Sequence, residues 1–300
     1  MKEIVDSVYV IENINPAQDC VPYIIDTKSN EGLVLIDPGL YLKYNPELEG
    51  KGFSVRDINH CLITHEHLDH YGACFELEKL NRTIKFYAHE LGVNKIEQKQ
   101  TPEYIEGNFP GYDYNTIEIS NAVKDSEILK FGDHEITCIH TPGHAEGAVA
   151  YLFEIGSIKI LFAGDIGGTA LKIYGGNINQ YLSSMQKLID INADILCEGH
   201  TGIIKQPTKI TEFITRYMEF NKNFQIVIEE DQSNIKSWYI ASLKLYELND
   251  LDYALDFCNH LLEIAPDNRE AHILFEKIKL HDPPEINFIK KLLERVSKSN

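Results

Sequence analysis

Between positions 61 and 70 an apolar run, Cys61-Leu62-Ile63-Thr64, leads straight into His65-Glu66-His67-Leu68-Asp69-His70. Three histidines and one aspartate thus fall within six positions. Neutral imidazole and carboxylate are the donors that zinc or iron accepts, and histidines buried at this density would be costly to leave unpaired. In an extended or turning chain, alternation lets His65 and His67 point the same way. Asp69 and His70 fall at the start of the next helix, where they can address a second ion beside the first. Glu66 holds the intervening position, which points away from His65 and His67, and is left out of the chemistry. Three more segments offer donors of the same kind: Thr141-Pro142-Gly143-His144, Phe162-Ala163-Gly164-Asp165 and Glu198-Gly199-His200. Each alone is an ordinary turn. Together they put His144, Asp165 and His200 at strand ends, where layered sheets hold sites on rigid supports. His89, His134 and His140 are read as surface or core histidines.

The elements that must position these donors are legible as period and punctuation. Val8–Ile11, Tyr23–Ile25 and Leu33–Ile36 are rich in β-branched and aromatic residues. Asn30-Glu31-Gly32 reads as the hairpin turn between the last two, and Asp37-Pro38-Gly39 ends the third. Further strands are expected at 60–64, 84–88, 135–140, 148–154, 159–163 and 195–198. Helices are expected at 70–80, with Ala73, Leu77 and Leu80 on one face, and at 178–191, with Tyr181, Met185, Leu188 and Ile189. Hairpins first, then strands separated by helices, point to two β-sheets with helices packed outside. The stretch 91–125 has no period and carries Tyr104, Phe109, Tyr112 and Tyr114 around Pro110-Gly111. It reads as a binding loop or as a surface insertion packed on itself.

From Pro207 the pattern turns helical, with Ile210, Phe213, Ile214, Tyr217 and Met218 at helical spacing. The expected division is a catalytic unit over 1–230 and a helical module over 231–300, holding two or three more helices. Trp238, Ala241, Leu245, Ala254, Leu261 and Pro266 resemble the anchor positions of a tetratricopeptide repeat, except that Cys258 stands where that repeat has Phe. A generic helical hairpin is the alternative. One repeat cannot bury its own apolar face, so the segment must pack on the catalytic unit or on a second chain.

Composition narrows the function. Residues 208–300 carry 12 basic and 16 acidic residues, and residues 1–207 carry 16 and 30, which makes the donor-bearing part strongly acidic. Such a surface repels phosphate backbones, so no nucleic-acid partner is expected. No apolar run suggests a membrane span, and the opening Met1-Lys2-Glu3-Ile4-Val5-Asp6 lacks the apolar core of a signal peptide. The six cysteines form no CxxC pair and several lie in apolar stretches. They are read as reduced, buried thiols of a cytoplasmic protein, Cys197 included, although it lies close to His200.

Over residues 1–207 the order HxHxDH, TPGH, GD, GH resembles the metallo-β-lactamase superfamily. That resemblance implies an α+β fold, the αββα sandwich, here followed by a small α-helical module. It also implies that His65, His67 and His144 hold a first metal, that Asp69, His70 and His200 hold a second, and that Asp165 bridges the two. Asp37 matches the family's strand-end aspartate and is expected to support the site by hydrogen bonds. The run Thr141–Tyr151 most resembles glyoxalase II and related thioester hydrolases. The C-terminal helices do not resemble that enzyme's glutathione-binding helices. His67 stands where the flavodiiron branch has Glu, and no insertion between Asp165 and His200 suits the nuclease branch.

The reading that follows is hydrolysis of a small-molecule thioester or ester. Two divalent ions, zinc first and iron or manganese as alternatives, would bring a shared hydroxide to a pKa of about 7 and polarise the carbonyl. Asp69 would be the catalytic residue, orienting the hydroxide and accepting a proton. Two other readings stand beside it. One is a mononuclear iron oxygenase of the persulfide dioxygenase type. The other is a scaffold acting through its C-terminal helices, which could in any case bind a protein partner or form a homodimer through 231–300.

Overall fold

The computed structural model describes residues 1–12, 14, 19–98 and 115–299. Seven strands form the first sheet in sequence order: β1 (Lys2–Val5), β2 (Val8–Val10), β3 (Tyr23–Asp26), β4 (Leu33–Ile36), β5 (Ile58–Leu62), β6 (Lys85–His89) and β7 (Asn121–Val123). Pairing is antiparallel as far as β4 and parallel from β4 to β7. The second sheet holds β8 (Ile128–Phe131), β9 (His134–His140), β10 (Val149–Ile155), β11 (Ile158–Phe162), β12 (Ile195–Glu198) and β13 (Gly202–Lys205), in the order 13-12-11-10-9-8. Only β11 and β12 run parallel in it.

The side-chain period of two decides where each residue goes. Tyr23 and Ile25 of β3, Val34 and Ile36 of β4 and Leu62 of β5 turn inward to meet Cys138, Tyr151, Phe153, Ile160, Phe162 and Cys197 of the second sheet. The alternate residues Ile24, Leu33, Leu35 and Cys61 turn outward, under Leu68, Tyr71, Cys74 and Leu77. Outside the second sheet, Leu161 and Leu196 meet Tyr181, Met185 and Leu188, with Ile210, Phe213 and Ile214 beside them. Strands covered on both faces explain the near-continuous apolar runs of β3, β4 and β12. The result is the expected four-layer sandwich, helices outside two sheets.

The helices differ from expectation in three places. The helix expected over 70–80 is two helices, α2 (Leu68–Tyr71) and α3 (Cys74–Leu80), after a short α1 (Asn45–Glu49). The Ala73 amide leaves the helical ladder to donate to Gly39 O at 2.8 Å, and the break re-aims the chain. Leu80 accordingly lies 45% exposed rather than on the buried face of Ala73 and Leu77. The stretch 91–125 opens with helix α4 (Glu90–Glu97) and ends with β7. Its four aromatics and Pro110-Gly111 lie outside the described residues.

The module over 231–300 holds four helices instead of two or three. After α5 (Ile178–Ile191) and α6 (Pro207–Gln225), a π-helical turn (Ile226–Glu230) leads to α7 (Ile235–Glu247), α8 (Leu251–Ile264), α9 (Arg269–Lys279) and α10 (Phe288–Ser299). Asparagine side chains cap three of these helices, Asn177 on Gln180 N, Asn234 on Ser237 N and Asn268 on Ala271 N. Trp238, Ala241, Leu245, Ala254, Leu261 and Ala271 are all buried, and their core takes in Leu171, Phe220 and Phe224 from α6 and the loop before α5. The module therefore packs on the sandwich through α6. No helix among the described residues is long and apolar enough to cross a membrane.

Candidate metal centre

The donors gather where strands end. β4 runs into Asp37, β5 into His65, β9 into the turn bearing His144, β11 into Asp165 and β12 into His200. Backbone bonds hold these ends together, Gly199 N to Gly164 O at 2.8 Å within the second sheet, and Val149 N to Thr64 O at 2.8 Å and Val21 N to Gly199 O at 2.7 Å across the two sheets. Besides Cys20, Asp37 and His70, two groups of potential ligand atoms result, each within 4.8 Å of one another: His65, His67, His144 and Asp165, and Asp69, His70 and His200. Asp165 lies between them. Its carboxylate is 3.9 Å from His65 Nε2 and 3.5 Å from His144 Nε2 on one side, and 3.0 Å from His70 Nε2 and 3.4 Å from His200 Nε2 on the other. His67 Nδ1 lies 2.9 Å from His144 Nε2, and His200 Nε2 lies 3.3 Å from Asp69 Oδ2. All seven residues expected at the site are thus brought into one cluster.

Their unused atoms face one another. His65 Nε2, His70 Nε2 and Asp165 Oδ1 are buried without an aligned hydrogen bond, even though the last two approach within 3.0 Å. Three orphaned polar atoms in one place are costly unless something else satisfies them. The opposite ring nitrogens are all engaged. His70 Nδ1 lies 2.8 Å from Asp37 Oδ2, so it must donate. Thr64 Oγ1 donates to the same oxygen at 2.6 Å, and this leaves it to accept from His65 Nδ1 at 3.1 Å. His144 Nδ1 donates to Thr169 O at 2.9 Å. A donor-engaged Nδ1 leaves the Nε2 lone pair free, which is the tautomer a cation needs. The residues therefore fit a divalent cation.

Asp37 governs this arrangement, as expected from its strand-end position. It is 3% exposed, and its other oxygen accepts Thr64 N at 2.7 Å. Its φ of 47° lies in the left-handed region, which Asp tolerates better than most residues. Two glycines make room for the donors. A Cβ at Gly168 would lie 2.2 Å from His144 Nδ1, and one at Gly199 would lie 2.6 Å from Asp165 Oδ1.

Electrostatics divides the histidines. Burial holds His65 and His67 well below the usual imidazole range, reinforced by neighbouring imidazoles. Burial also opposes charge on His70 and His200, but Asp165 and the carboxylates around it outweigh it and raise both well above that range. Burial likewise opposes charge on Asp69, yet His70 and His200 bring its carboxyl down to about 2.

The remaining histidines keep away from the donors. His89 and His140 stack with ring centres 3.9 Å apart, and His134 meets Phe153 edge-on. Glu66 is buried and turned away, accepting Lys95 Nζ at 2.8 Å and Gly147 N at 3.1 Å. Cys197 packs in the core between the sheets. Sequence reasoning missed Thr64, although it directly precedes His65. It also missed Glu198, whose carboxylate accepts His200 N at 2.8 Å, Thr201 N at 2.6 Å and Gly167 N at 3.1 Å. The Glu-Gly-His triplet was the available signal. Cys20, beside Asp37 and His70, and Asn221 carried no local signal.

Residues 16–200 match the family model of the metallo-beta-lactamase superfamily. The chain belongs to that superfamily. Its relatives include the acyl-coenzyme A thioesterase MBLAC2 of Bos taurus, 24% identical over 191 residues that cover 55% of this chain and 66% of that protein. The probable metallo-hydrolase YqgX of Bacillus subtilis is 27% identical over 194 residues, covering 62% of this chain and 87% of the other. A hydroxyacylglutathione hydrolase of Rhodospirillum rubrum is 27% identical over 188 residues, covering 62% and 63%. The alignments thus leave about a third of the thioesterase and of the hydroxyacylglutathione hydrolase unmatched. Among solved structures, a metallo-β-lactamase mutant from Cronobacter sakazakii superposes with a TM-score of 0.62 at 17% identity, over 74% of this chain and 96% of the other. BJP-1, a subclass B3 metallo-β-lactamase of Bradyrhizobium japonicum, gives 0.59 at 22%, over 74% and 92%. At these identities the structural likeness is one of fold.

Proposed function

We propose that this protein is a dinuclear metallohydrolase, zinc-loaded, that cleaves a thioester of a small molecule. The observation that carries the dinuclear part is the shared carboxylate: Asp165 stands within 3.0–3.9 Å of histidines from both donor groups. His65, His67 and His144 would hold one ion and Asp69, His70 and His200 the other. When bound, such ions lower the pKa of water to about 7 and polarise a carbonyl. The chain's own groups supply the rest. Asp69 stays ionised and presents an oxygen that can accept a hydrogen bond from the attacking water and orient it. The Asp37–Thr64 pair keeps His65 and His70 in the tautomer that ligates. Relatives that cleave acyl-coenzyme A and hydroxyacylglutathione support the thioester class.

The test is metal content of freshly purified protein, followed by a panel of acyl-coenzyme A and glutathione thioesters, a lactone, a phosphodiester and glutathione persulfide. Two zinc ions per chain and thioester turnover are expected, with both lost in His65→Ala and Asp165→Ala. About one iron per chain with oxygen uptake on the persulfide would replace this reading with the oxygenase.

A further inference from the structure

His144 is held from two sides. On one side α5 fixes its turn, since Asn177 N donates to Gly143 O at 2.8 Å and Ser184 Oγ donates to Pro142 O at 2.7 Å. On the other side, Thr169 O accepts His144 Nδ1–H at 2.9 Å, so the direction of the imidazole depends on how that peptide group is set.

The Thr169 carbonyl and the Ala170 N–H belong to one planar trans peptide and point in opposite directions. Asn221 Oδ1 accepts that N–H at 3.0 Å, and Asn221 Nδ2 donates to Gly168 O at 3.1 Å. The two partners, one donor and one acceptor, fix the orientation of the amide. A continuous chain of hydrogen bonds therefore runs from Asn221 through one peptide unit to the ring of His144, and each bond polarises the next.

Asn221 is 2% exposed and sits on α6. Its neighbours on that helix, Phe220 and Phe224, are buried in the core of the C-terminal helices, with ring centres 5.8 and 5.1 Å from Phe257. The rotation of α6 about its axis, and so the aim of Asn221, is set jointly by that core and by Ile210, Phe213 and Ile214 packed outside the second sheet.

We propose that Asn221 is a positioning residue for His144, acting through the Thr169–Ala170 peptide, and that the C-terminal helices are thereby part of the support of the metal centre. This rests on His144 being a ligand, as the proposed function has it.

The experiment uses the full-length chain as wild type, Asn221→Ala, Asn221→Asp and, as a control, Ser242→Ala. Ser242 Oγ donates to Ala254 O inside the helical core and touches nothing of this chain of bonds. Zinc affinity is read by chelator competition. The ring N–H of His144 is followed by proton NMR in the cobalt-loaded protein, where it is shifted clear of other signals. Asn221→Ala should weaken one zinc site about tenfold, the lower end of what removing a ligand's outer partner costs, and speed exchange of the His144 N–H. Asn221→Asp keeps an acceptor for the Ala170 N–H and should fall between wild type and Asn221→Ala. Ser242→Ala should lower the melting temperature and leave zinc affinity unchanged.

Wild-type affinity and exchange in Asn221→Ala overturn the proposal, as does a loss in Ser242→Ala equal to that in Asn221→Ala. If Asn221→Ala does not fold, Asn221→Asp decides on the same two readouts. No substrate is involved, so a protein that binds two zinc ions without cleaving thioesters refutes the proposed function alone. A wild type that binds no metal refutes both.

Discussion

Replacing Asp37 by Asn asks whether this carboxylate works by charge and acceptor capacity rather than by filling space. Asp37 accepts three hydrogen bonds, from Thr64 N at 2.7 Å, Thr64 Oγ1 at 2.6 Å and His70 Nδ1 at 2.8 Å. An Asn side chain has nearly the same shape. Its oxygen can still accept Thr64 N, but its NH2 then faces Thr64 Oγ1 and His70 Nδ1. To avoid opposing two donors, His70 must move its proton from Nδ1 to Nε2, the atom that faces Asp165. A protonated Nε2 cannot ligate. The loss should therefore fall on the site of Asp69, His70 and His200, by about 10- to 100-fold in affinity. That corresponds to about 1.4–2.7 kcal/mol. The cost in fold stability should be smaller than for Asp37→Ala, which leaves three buried donors without an acceptor at about 1–3 kcal/mol each. Stepwise zinc binding by chelator competition, together with urea unfolding of the metal-free proteins, measures both quantities. If Asp37→Asn binds its second zinc as tightly as wild type, the tautomer argument is wrong.

Three other perturbations have outcomes that follow from named contacts. Glu198→Gln exchanges a carboxylate taking three backbone N–H groups for a single acceptor oxygen. It should cost about 2–3 kcal/mol and a few degrees of melting temperature, read by calorimetry, and no measurable change would show those bonds to be energetically idle. Burial pushes the Asp250 carboxyl up to about 6. A folded-state value above the unfolded one of 3.8 means that the native state binds more protons between those values, so the destabilisation is absent near pH 4 and complete above pH 6. Asp250→Asn should thus stabilise by about 1–3 kcal/mol at pH 7 and by little at pH 4, and denaturant midpoints at the two pH values decide it. Trp238→Ala removes a fully buried side chain of the helical core and should cost about 3–5 kcal/mol. Its ring packs 5.7 Å from Phe257, the ring that meets Phe220 and Phe224 of α6, so, unlike loss of the Ser242 hydroxyl, this change should lower zinc affinity as well, and wild-type affinity would separate the module from the centre.

The donor set and its order could be read from the chain, because His65, His67, Asp69 and His70 are neighbours in sequence and His144, Asp165 and His200 each follow an apolar run that ends in a turn. The sandwich was legible for a related reason. A strand buried on both faces shows its burial in every residue, as Leu33–Ile36 does, and a helix on a sheet shows it at a period of 3.6. These are local signals, set by how the backbone presents successive side chains. The break between α2 and α3 was hidden, because it depends on Ala73 N finding Gly39 O across the fold and not on any property of residues 70–80. Apart from Asp37, the supports of the centre were hidden for the same reason. Glu198 reaching Gly167, Thr64 joining Asp37 to His65, and Asn221 gripping Ala170 are side-chain bonds between residues remote in sequence. Nothing in the local pattern of either partner records such a bond. The sequence alone determined which residues carry donor groups, and the tertiary structure decided which nitrogen of His65, His70 and His144 turns its lone pair toward the cluster, because a tautomer is chosen by the partner on the far side of the ring.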